Sequence, residues 1–268
     1  MDHNLKQKSD KLDQILKSLD NMAIAFSGGV DSSFLLHRAS EIMKDKVMAI
    51  TVDTVYIPKR EIEEAIAIAK KYNVKHKIIT LPLMEIIKHN PNDRCYFCKT
   101  FIFKQLLNEA AQNNITCVAE GTNADDTSVY RPGLKALEEL KILSPLKEAG
   151  LTKEDIRNLS REKGMETWDK PAYACLLTRI PYGTEITEKE LSMIEKSENY
   201  LISLGFNGAR VRSHGNLARI EVLQHDLNKI MNEKLLLDIS LALKKFGYQF
   251  VTLDTEGYKS GSFDHIKS

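Results

Sequence analysis

The sequence lacks the features of membrane-spanning, disulfide-stabilised and strongly charged proteins. It contains only four cysteines in 268 residues, and nowhere do about 18 apolar residues run together. Four cysteines are too few for a disulfide scaffold in a chain of this length. The 38 basic and 37 acidic residues leave a net charge of +1, so no global charge attracts nucleic acid or a membrane. We therefore expect a cytoplasmic protein whose cysteines serve metal or thiol chemistry.

The first 170 or so residues alternate short β-branched runs with longer helical patterns, which is typical of a parallel sheet with crossover helices. Strands are predicted at residues 22–26, 47–52, 77–81, 116–119 and near 142, and helices at 33–43, 61–72, 96–111 and 152–163. In a doubly wound sheet, ligands bind beyond the carboxyl ends of the strands. The sequence puts Ser27, Asp53 and Gly121 at those ends.

The pattern changes after Trp168, where an irregular stretch with two prolines and a glycine precedes a smaller α+β pattern. Helices are predicted at 191–204 and, as one continuous element, at 227–245, with strands at 209–212, 218–223 and 249–254. We therefore expect an α/β domain of residues 1–175 and a C-terminal α+β domain of residues 176–268. We assign substrate binding or oligomerisation to the second domain.

The segment SGGVDSS, residues 27–33, joins the first predicted strand to the first predicted helix. Gly28 and Gly29 let backbone amides approach an anion. The hydroxyls of Ser32 and Ser33 lie at a helix N-terminus, where free N–H groups and the helix dipole favour phosphate. The segment lacks the lysine and the spacing of the G-x-x-x-x-G-K-[ST] loop, so a different polyphosphate site is indicated.

SGGVDSS resembles the SGGxDS signature of the PP-loop pyrophosphatases, which have an adenine nucleotide alpha hydrolase-like fold. The resemblance implies that the loop holds the pyrophosphate of ATP while the α-phosphate is attacked. It also implies that Asp31 helps to hold Mg²⁺ and that Asp53 lies by the adenosine. A turn role for Asp53 is the alternative.

Cysteines occur in two further segments with unusual composition. NPNDRCYFCK, residues 90–99, has Cys95 and Cys98 at the start of a predicted helix, where a spacing of three residues puts both thiols on one face and the helix terminus favours thiolates. KPAYACLLTRIPYG, residues 170–183, puts Cys175 in a loop. Composition and spacing assign these thiols only to metal or thiol chemistry.

Two polar segments contain the remaining candidates. EGTNADD, residues 120–126, follows the strand 116–119 and concentrates polar side chains at the active edge. From it we select Glu120 as a candidate catalytic residue and Asn123 and Asp125 as candidate nucleotide ligands.

RVRSHGNLARIEV, residues 210–222, has arginines at period two in an extended segment. Arg210 and Arg212 share one face there and can form forked hydrogen bonds to a phosphate. Glu221 is paired with Arg219 in the same way and is a candidate metal ligand. The alternative for this segment is a solvated strand face or a set of interface ion pairs.

Together these segments resemble the LarE family over nearly the whole chain. The resemblance implies ATP-dependent sulfur transfer in the biosynthesis of the nickel-pincer cofactor of lactate racemase. A carboxylate of pyridinium-3,5-biscarboxylic acid mononucleotide would be adenylated and then attacked by sulfur, with loss of AMP. Arg210 and Arg212 would bind the mononucleotide phosphate or the pyrophosphate. Arg179 would either face the activated substrate or order its loop.

The source of the sulfur is open between three interpretations. Cys95, Cys98 and Cys175 resemble the cysteine set of the cluster-dependent LarE branch, which implies a 4Fe-4S cluster with one iron left open to sulfide. A structural zinc would want a fourth ligand, for which His89 is the nearby candidate. In the third interpretation, Cys175 is itself sacrificed and becomes dehydroalanine.

Two competing functions share parts of this pattern. A PP-loop tRNA thiolase would have the same loop and three cysteines, but this chain has neither a second CxxC pair nor a basic tract. A nucleotide-sensing regulator would not need the full set of acidic residues and cysteines. The expected partners are a small mononucleotide and a sulfide or other sulfur donor, with homo-oligomerisation as a further possibility.

Overall fold

The computed structural model describes residues 3–128, 132–171 and 174–259 and divides into two compact units. No helix in these ranges is both long and apolar enough to cross a membrane. The first unit consists of the described residues up to Thr54 and of residues 59–82 and 93–170, and the second of residues 55–58, 83–92 and the described residues from 171 onward.

A parallel four-stranded sheet in the order β3-β2-β1-β4 forms the centre of the first unit. Its strands are β1 Met22–Ala25, β2 Val47–Asp53, β3 Lys75–Thr80 and β4 Val118–Ala119. Ala23 of β1 pairs with Met48 on one side and with Val118 on the other. The strand predicted near residue 142 is reduced to a single bridge between Ala119 and Leu143.

Helices pack on both faces of this sheet, as a doubly wound fold requires. They are α1 His3–Lys17, α2 Val30–Met43, α3 Lys59–Lys71, α4 Arg94–Gln112, α5 Pro132–Glu139, α6 Pro145–Glu148 and α7 Lys153–Glu162. Strand residues alternate between two cores: Met22 and Ile24 pack with α1, α2, α3 and α7, whereas Ala23 packs with α4 and α5. The period of two in β1 and β2 thus buries both faces of the sheet.

The point at which the strand order reverses lies between β1 and β4, because the chain leaves β1 for β2 and later returns to the other side of β1. Ligands bind at such points in open α/β sheets. Gly121, which follows β4, packs against the start of α2 so closely that a Cβ there would lie 2.9 Å from the Ser32 nitrogen and 3.2 Å from the Asp31 Cβ.

The second unit has a three-stranded sheet in the order β5-β6-β7, covered by helices. Its elements are α8 Glu188–Ser203, β5 Arg210–His214, β6 Leu217–Glu221, α9 Leu227–Ile230, α10 Glu233–Phe246 and β7 Phe250–Leu253. The single helix predicted at 227–245 is wrong, because Asn232 adopts an extended backbone and its side chain caps α10 by accepting a hydrogen bond from the Leu235 nitrogen.

Two short stretches from the first half of the chain belong to this second unit, which the division at residue 175 did not include. The Leu176 nitrogen donates to the Tyr56 carbonyl at 2.9 Å. The Asn90 side-chain amide donates to the carbonyls of Ile180 and Pro181, each at 2.9 Å. These bonds order residues 176–181, which follow Cys175.

The packing of Gly121 generates a stability prediction. Gly121→Ala should lower the free energy of unfolding by about 1 to 3 kcal/mol, because the added methyl group must displace the backbone at the start of α2. Urea unfolding followed by circular dichroism measures the change. An alanine variant as stable as the parent protein would contradict the close contact between the end of β4 and α2.

Candidate active site

The loop of residues 27–33 connects β1 to α2 at the switch point. Gly28 has a φ of +67°, and Ala65 of α3 would lie 3.3 Å from a Cβ at this position. Glycine is therefore required here for both its backbone angle and its size. Gly29 is extended and its carbonyl accepts the first helical bond, from the Ser33 nitrogen at 2.9 Å. The first N–H groups of a helix have no intrahelical acceptor and favour an anion.

The loop serines differ in their surroundings. The hydroxyl oxygens of Ser27 and Ser32 lie 3.1 Å apart, and the Ser32 hydroxyl also donates to the Gly29 carbonyl at 3.3 Å. Ser33 is fully buried, and its hydroxyl has no hydrogen-bond partner among the described residues. Ser27 and Ser32 therefore shape the loop, whereas Ser33 points into the protein interior.

Asp31 lies in the first turn of α2 with its two carboxylate oxygens in different surroundings. Oδ2 is 2.5 Å from the Lys153 ammonium. Oδ1 is buried and has no hydrogen-bond partner in the described part of the chain. Burial raises the pKa of Asp31 above its usual value, and the charge of Lys153 opposes this shift. A carboxylate oxygen without a donor fits a hard divalent cation, so Asp31 suits the expected Mg²⁺.

Glu120, predicted as catalytic, is buried and holds its own loop together. Oε1 accepts hydrogen bonds from the Thr122 nitrogen at 3.0 Å and the Ser144 hydroxyl at 2.6 Å, and Oε2 accepts one from the Thr122 hydroxyl at 2.7 Å. Both oxygens are thus engaged within the protein. This arrangement favours a role for Glu120 in positioning the loop after β4.

The rest of this loop is connected to the start of α7. The Asn123 side-chain oxygen accepts from the Asp125 nitrogen at 2.9 Å, and the Asp125 carboxylate accepts from the Lys153 nitrogen at 2.8 Å. The loop of residues 120–126 and the loop of residues 27–33 therefore both contact Lys153.

Asp53, at the end of β2, forms an ion pair with Lys59 at 2.6 Å. Its expected contact with adenosine stays a prediction.

Two lysines that the sequence interpretation missed contact the nucleotide loop. Lys153 binds Asp31, and the Lys170 ammonium donates to the Gly28 carbonyl at 2.9 Å and pairs with Glu64. Neither lysine lies in a recognisable motif. Only the fold brings them to the loop, which itself contains no lysine.

The CxxC pair lies in the first unit, within the first turns of α4. Cys95 is exposed and Cys98 is partly buried. Cys175 belongs to the second unit and is partly buried, immediately before a 3₁₀ turn at Leu176–Arg179. Within residues 3–128, 132–171 and 174–259, no three His, Cys, Asp or Glu side chains are grouped so that they could hold a metal ion. The three-thiolate site stays a prediction.

Arg179 is buried and orders the loop that contains Cys175. Its guanidinium donates to the Ala174 carbonyl at 3.1 Å and to the Thr178 hydroxyl at 2.6 Å, and forms a forked pair with Glu198 at 2.8 and 3.2 Å. Of the two roles expected for Arg179, the structure favours the ordering of this loop.

The arginines of β5 are also buried. Arg212 donates to the Thr178 carbonyl at 2.7 Å and pairs with Glu221 at 2.9 Å, and Arg219 pairs with the other oxygen of Glu221 at 3.0 Å. Arg210 donates to the Ala209 carbonyl at 3.0 Å. Metal binding by Glu221, expected from the sequence, would require these bonds to rearrange.

The pair of Arg179 and Glu198 generates a second stability prediction. Glu198→Gln should lower the free energy of unfolding by about 3 to 5 kcal/mol, because it leaves a buried guanidinium without its counter-charge. Urea unfolding measures the loss. The matched control is Glu166→Gln in the exposed pair with Lys71, which should leave stability unchanged. Equal stability of the two variants would contradict a structural role for the buried pair.

Comparisons with known proteins show which proteins this chain is similar to. The family model described as queuosine biosynthesis protein QueC matches residues 21–92, which contain the nucleotide loop. The pyridinium-3,5-bisthiocarboxylic acid mononucleotide synthase of Lactiplantibacillus plantarum is 34% identical over 96% of this chain and 94% of its own. An uncharacterized protein of Synechocystis sp. is 37% identical over 98% of both chains.

An uncharacterized protein of Methanocaldococcus jannaschii is 39% identical over 88% of this chain and 90% of its own. The similarity to the Lactiplantibacillus enzyme extends over both units, and the predicted doubly wound fold is confirmed. The chain therefore belongs to the LarE family of PP-loop, ATP-dependent sulfurtransferases.

Proposed function

We propose that this enzyme converts carboxylates of a pyridinium-3,5-biscarboxylic acid mononucleotide into thiocarboxylates at the expense of ATP. The observation that carries the proposal is the similarity, over 96% of the chain, to an enzyme named for the corresponding bisthiocarboxylic acid mononucleotide. The nucleotide loop, with its two glycines and Asp31, supports the ATP-dependent half of the reaction.

The chemistry has two steps, because a carboxylate is a poor electrophile until it has a good leaving group. A carboxylate oxygen attacks the α-phosphorus of ATP, and pyrophosphate leaves to give an acyl-adenylate. A sulfide then attacks the acyl carbon, and AMP leaves with the former carboxylate oxygen as the thiocarboxylate forms. Each sulfur transferred therefore uses one ATP and produces one AMP and one pyrophosphate.

We assign the pyrophosphate to the loop of residues 27–33, where glycines and a helix N-terminus offer backbone N–H groups. Mg²⁺ would be held by Asp31, whose Oδ1 lacks a protein donor among the described residues. Arg210 and Arg212 would bind the phosphate of the mononucleotide, for which their guanidinium groups are suited. In the second unit, the ion pair of Arg179 would keep the loop of Cys175 in place.

We propose that Cys95, Cys98 and Cys175 bind a 4Fe-4S cluster. The donor set fits, because all three are thiols and two of them are spaced within the first turns of one helix, whose N-terminus favours thiolates. A cluster with three protein ligands would supply sulfide to the activated carboxylate repeatedly. The chain's own role is to provide the three thiolates.

The second unit would then contribute to substrate binding and self-association. Leu237 and Leu241 of α10 are each more than half exposed, which supports a contact with another copy of the chain. We propose a cytoplasmic location, because thiolate chemistry of this kind requires a reducing compartment.

The nucleotide loop generates a prediction about the first half-reaction. Asp31→Asn should lower substrate-dependent pyrophosphate release by about 100-fold or more, because charge at the phosphates is no longer stabilised. Ser32→Ala should lower it less, because the Ser32 hydroxyl shapes the loop through Ser27 and Gly29. Asp45→Asn, an exposed acid after the same helix, should release pyrophosphate like the parent protein. Parental rates in folded loop variants would rule out the assignment of the loop.

The cysteines generate a prediction about turnover. Alanine at Cys95, Cys98 or Cys175 should remove both the iron chromophore and sulfur transfer, because two thiolates hold a cluster far less well than three. Pyrophosphate release should survive, and the parent protein with sulfide should transfer more than one sulfur per chain. Cys117→Ala is the control, since the Cys117 thiol donates to the Asn21 carbonyl and burial raises its pKa.

The sacrificial alternative predicts a different result from the same experiment. Only Cys175→Ala would then abolish transfer, and mass spectrometry after one turnover would find Cys175 lighter by one H₂S. Stoichiometric dehydroalanine at Cys175 in active, iron-free protein would overturn the cluster proposal.

A further inference from the structure

The SGGVDSS loop has no lysine of its own, but a lysine 122 positions further along the chain reaches it. The Lys153 ammonium lies 2.5 Å from Asp31 Oδ2, and the two side chains are 32% and 21% exposed. The pair is thus only partly shielded from solvent. An ammonium in this position is accessible to an incoming ligand.

The backbone of Lys153 is held more firmly than its side chain. Lys153 is the first residue of α7, where the Thr152 hydroxyl accepts from the Asp155 nitrogen at 3.1 Å and the Asp155 carboxylate accepts from the Thr152 nitrogen at 3.0 Å. Asp125 binds the Lys153 nitrogen itself. The ammonium is therefore attached to this fixed backbone position by a flexible four-carbon side chain.

The charges around Asp31 make the lysine and a metal ion competitors. Asp126 adds a repulsive negative charge to Asp31, whereas Lys153 and Arg157 oppose it. A Mg²⁺ ion bound to Asp31 would satisfy the same carboxylate with twice the charge of the ammonium. Lys153 would then lose its partner at the moment when the phosphates of ATP arrive.

We propose that Lys153 is a displaceable counter-ion. In the nucleotide-free enzyme Lys153 neutralises Asp31. With Mg²⁺ held by Asp31, the Lys153 ammonium would be released and would bind the phosphates of ATP. Lys153 thereby supplies the phosphate-binding lysine that other nucleotide loops contain within their own sequence. The inference rests on the magnesium site proposed at Asp31.

The experiment compares metal binding and nucleotide binding in the same variants. Mn²⁺ binding without nucleotide is measured by electron paramagnetic resonance, and binding of ATP with Mg²⁺ by calorimetry. Lys153→Met should bind Mn²⁺ about fivefold more tightly, because the competing cation is gone, and ATP about tenfold more weakly, because a phosphate contact is lost. Lys153→Arg should restore part of the ATP affinity, since it restores the cation.

The two affinities should change in opposite directions in Lys153→Met. The loss of a purely structural salt bridge would instead weaken the binding of both ligands or of neither. Lys8→Met is the matched control, because Lys8 forms a pair of similar length, 2.6 Å, and similar exposure with Asp155 on the same helix. It should change neither affinity.

Asp31→Asn separates failure of the inference from failure of the magnesium site. If Asp31→Asn binds Mn²⁺ and ATP with Mg²⁺ like the parent protein, the magnesium site itself is wrong. If Asp31→Asn loses Mn²⁺ while Lys153→Met matches the parent protein in both affinities, the magnesium site stands and the role of Lys153 is overturned. Weaker binding of both ligands in Lys153→Met would also overturn that role.

Discussion

The pairing of β1 between β2 and β4 is the constraint on which the nucleotide site depends. Ala23 and Ile24 pair with Val118 and Ala119, so the loops that follow β1 and β4 leave the sheet side by side. Gly121 completes this arrangement because its missing side chain lets the second loop pack against the start of α2. This contact brings the acidic loop against the first turn of α2, next to the phosphate-binding turn.

Charge balance explains how a site with several acids is stable before any nucleotide binds. Asp31 would be costly to bury as an isolated carboxylate, and Lys153 offsets that cost. The same lysine is linked through its backbone to Asp125 in the loop after β4. Electrostatics and backbone geometry thus act at one residue.

Local sequence patterns predicted those strands, helices and turns that depend on neighbouring residues in the sequence. The apolar runs of β1 and β2 and the glycines after β1 were sufficient to predict the nucleotide loop. The helix α1 was not predicted, although its buried residues Leu12 and Leu16 have the four-residue spacing of one helical face. The break before α10 was missed because the apolar pattern continues on both sides of Asn232, the residue that caps α10.

Long-range contacts left no local signal. Lys153 and Lys170 lie in ordinary helical and loop sequence, and only the crossover connections bring them to the nucleotide loop. The burial of Arg179 against Glu198 is likewise a property of the folded second unit. In the sequence, the position of Arg179 near Cys175 suggested a contact with the substrate. In the structure, Arg179 instead pairs with Glu198 and orders the loop.

The central claim is that ATP activates a carboxylate by adenylation, and isotope transfer tests it most directly. The substrate, pyridinium-3,5-biscarboxylic acid mononucleotide, is labelled with ¹⁸O in its carboxylates and turned over with ATP and sulfide. The account predicts one ¹⁸O atom in AMP for each sulfur transferred and none in pyrophosphate. Unlabelled AMP, or label in pyrophosphate or phosphate, would contradict it.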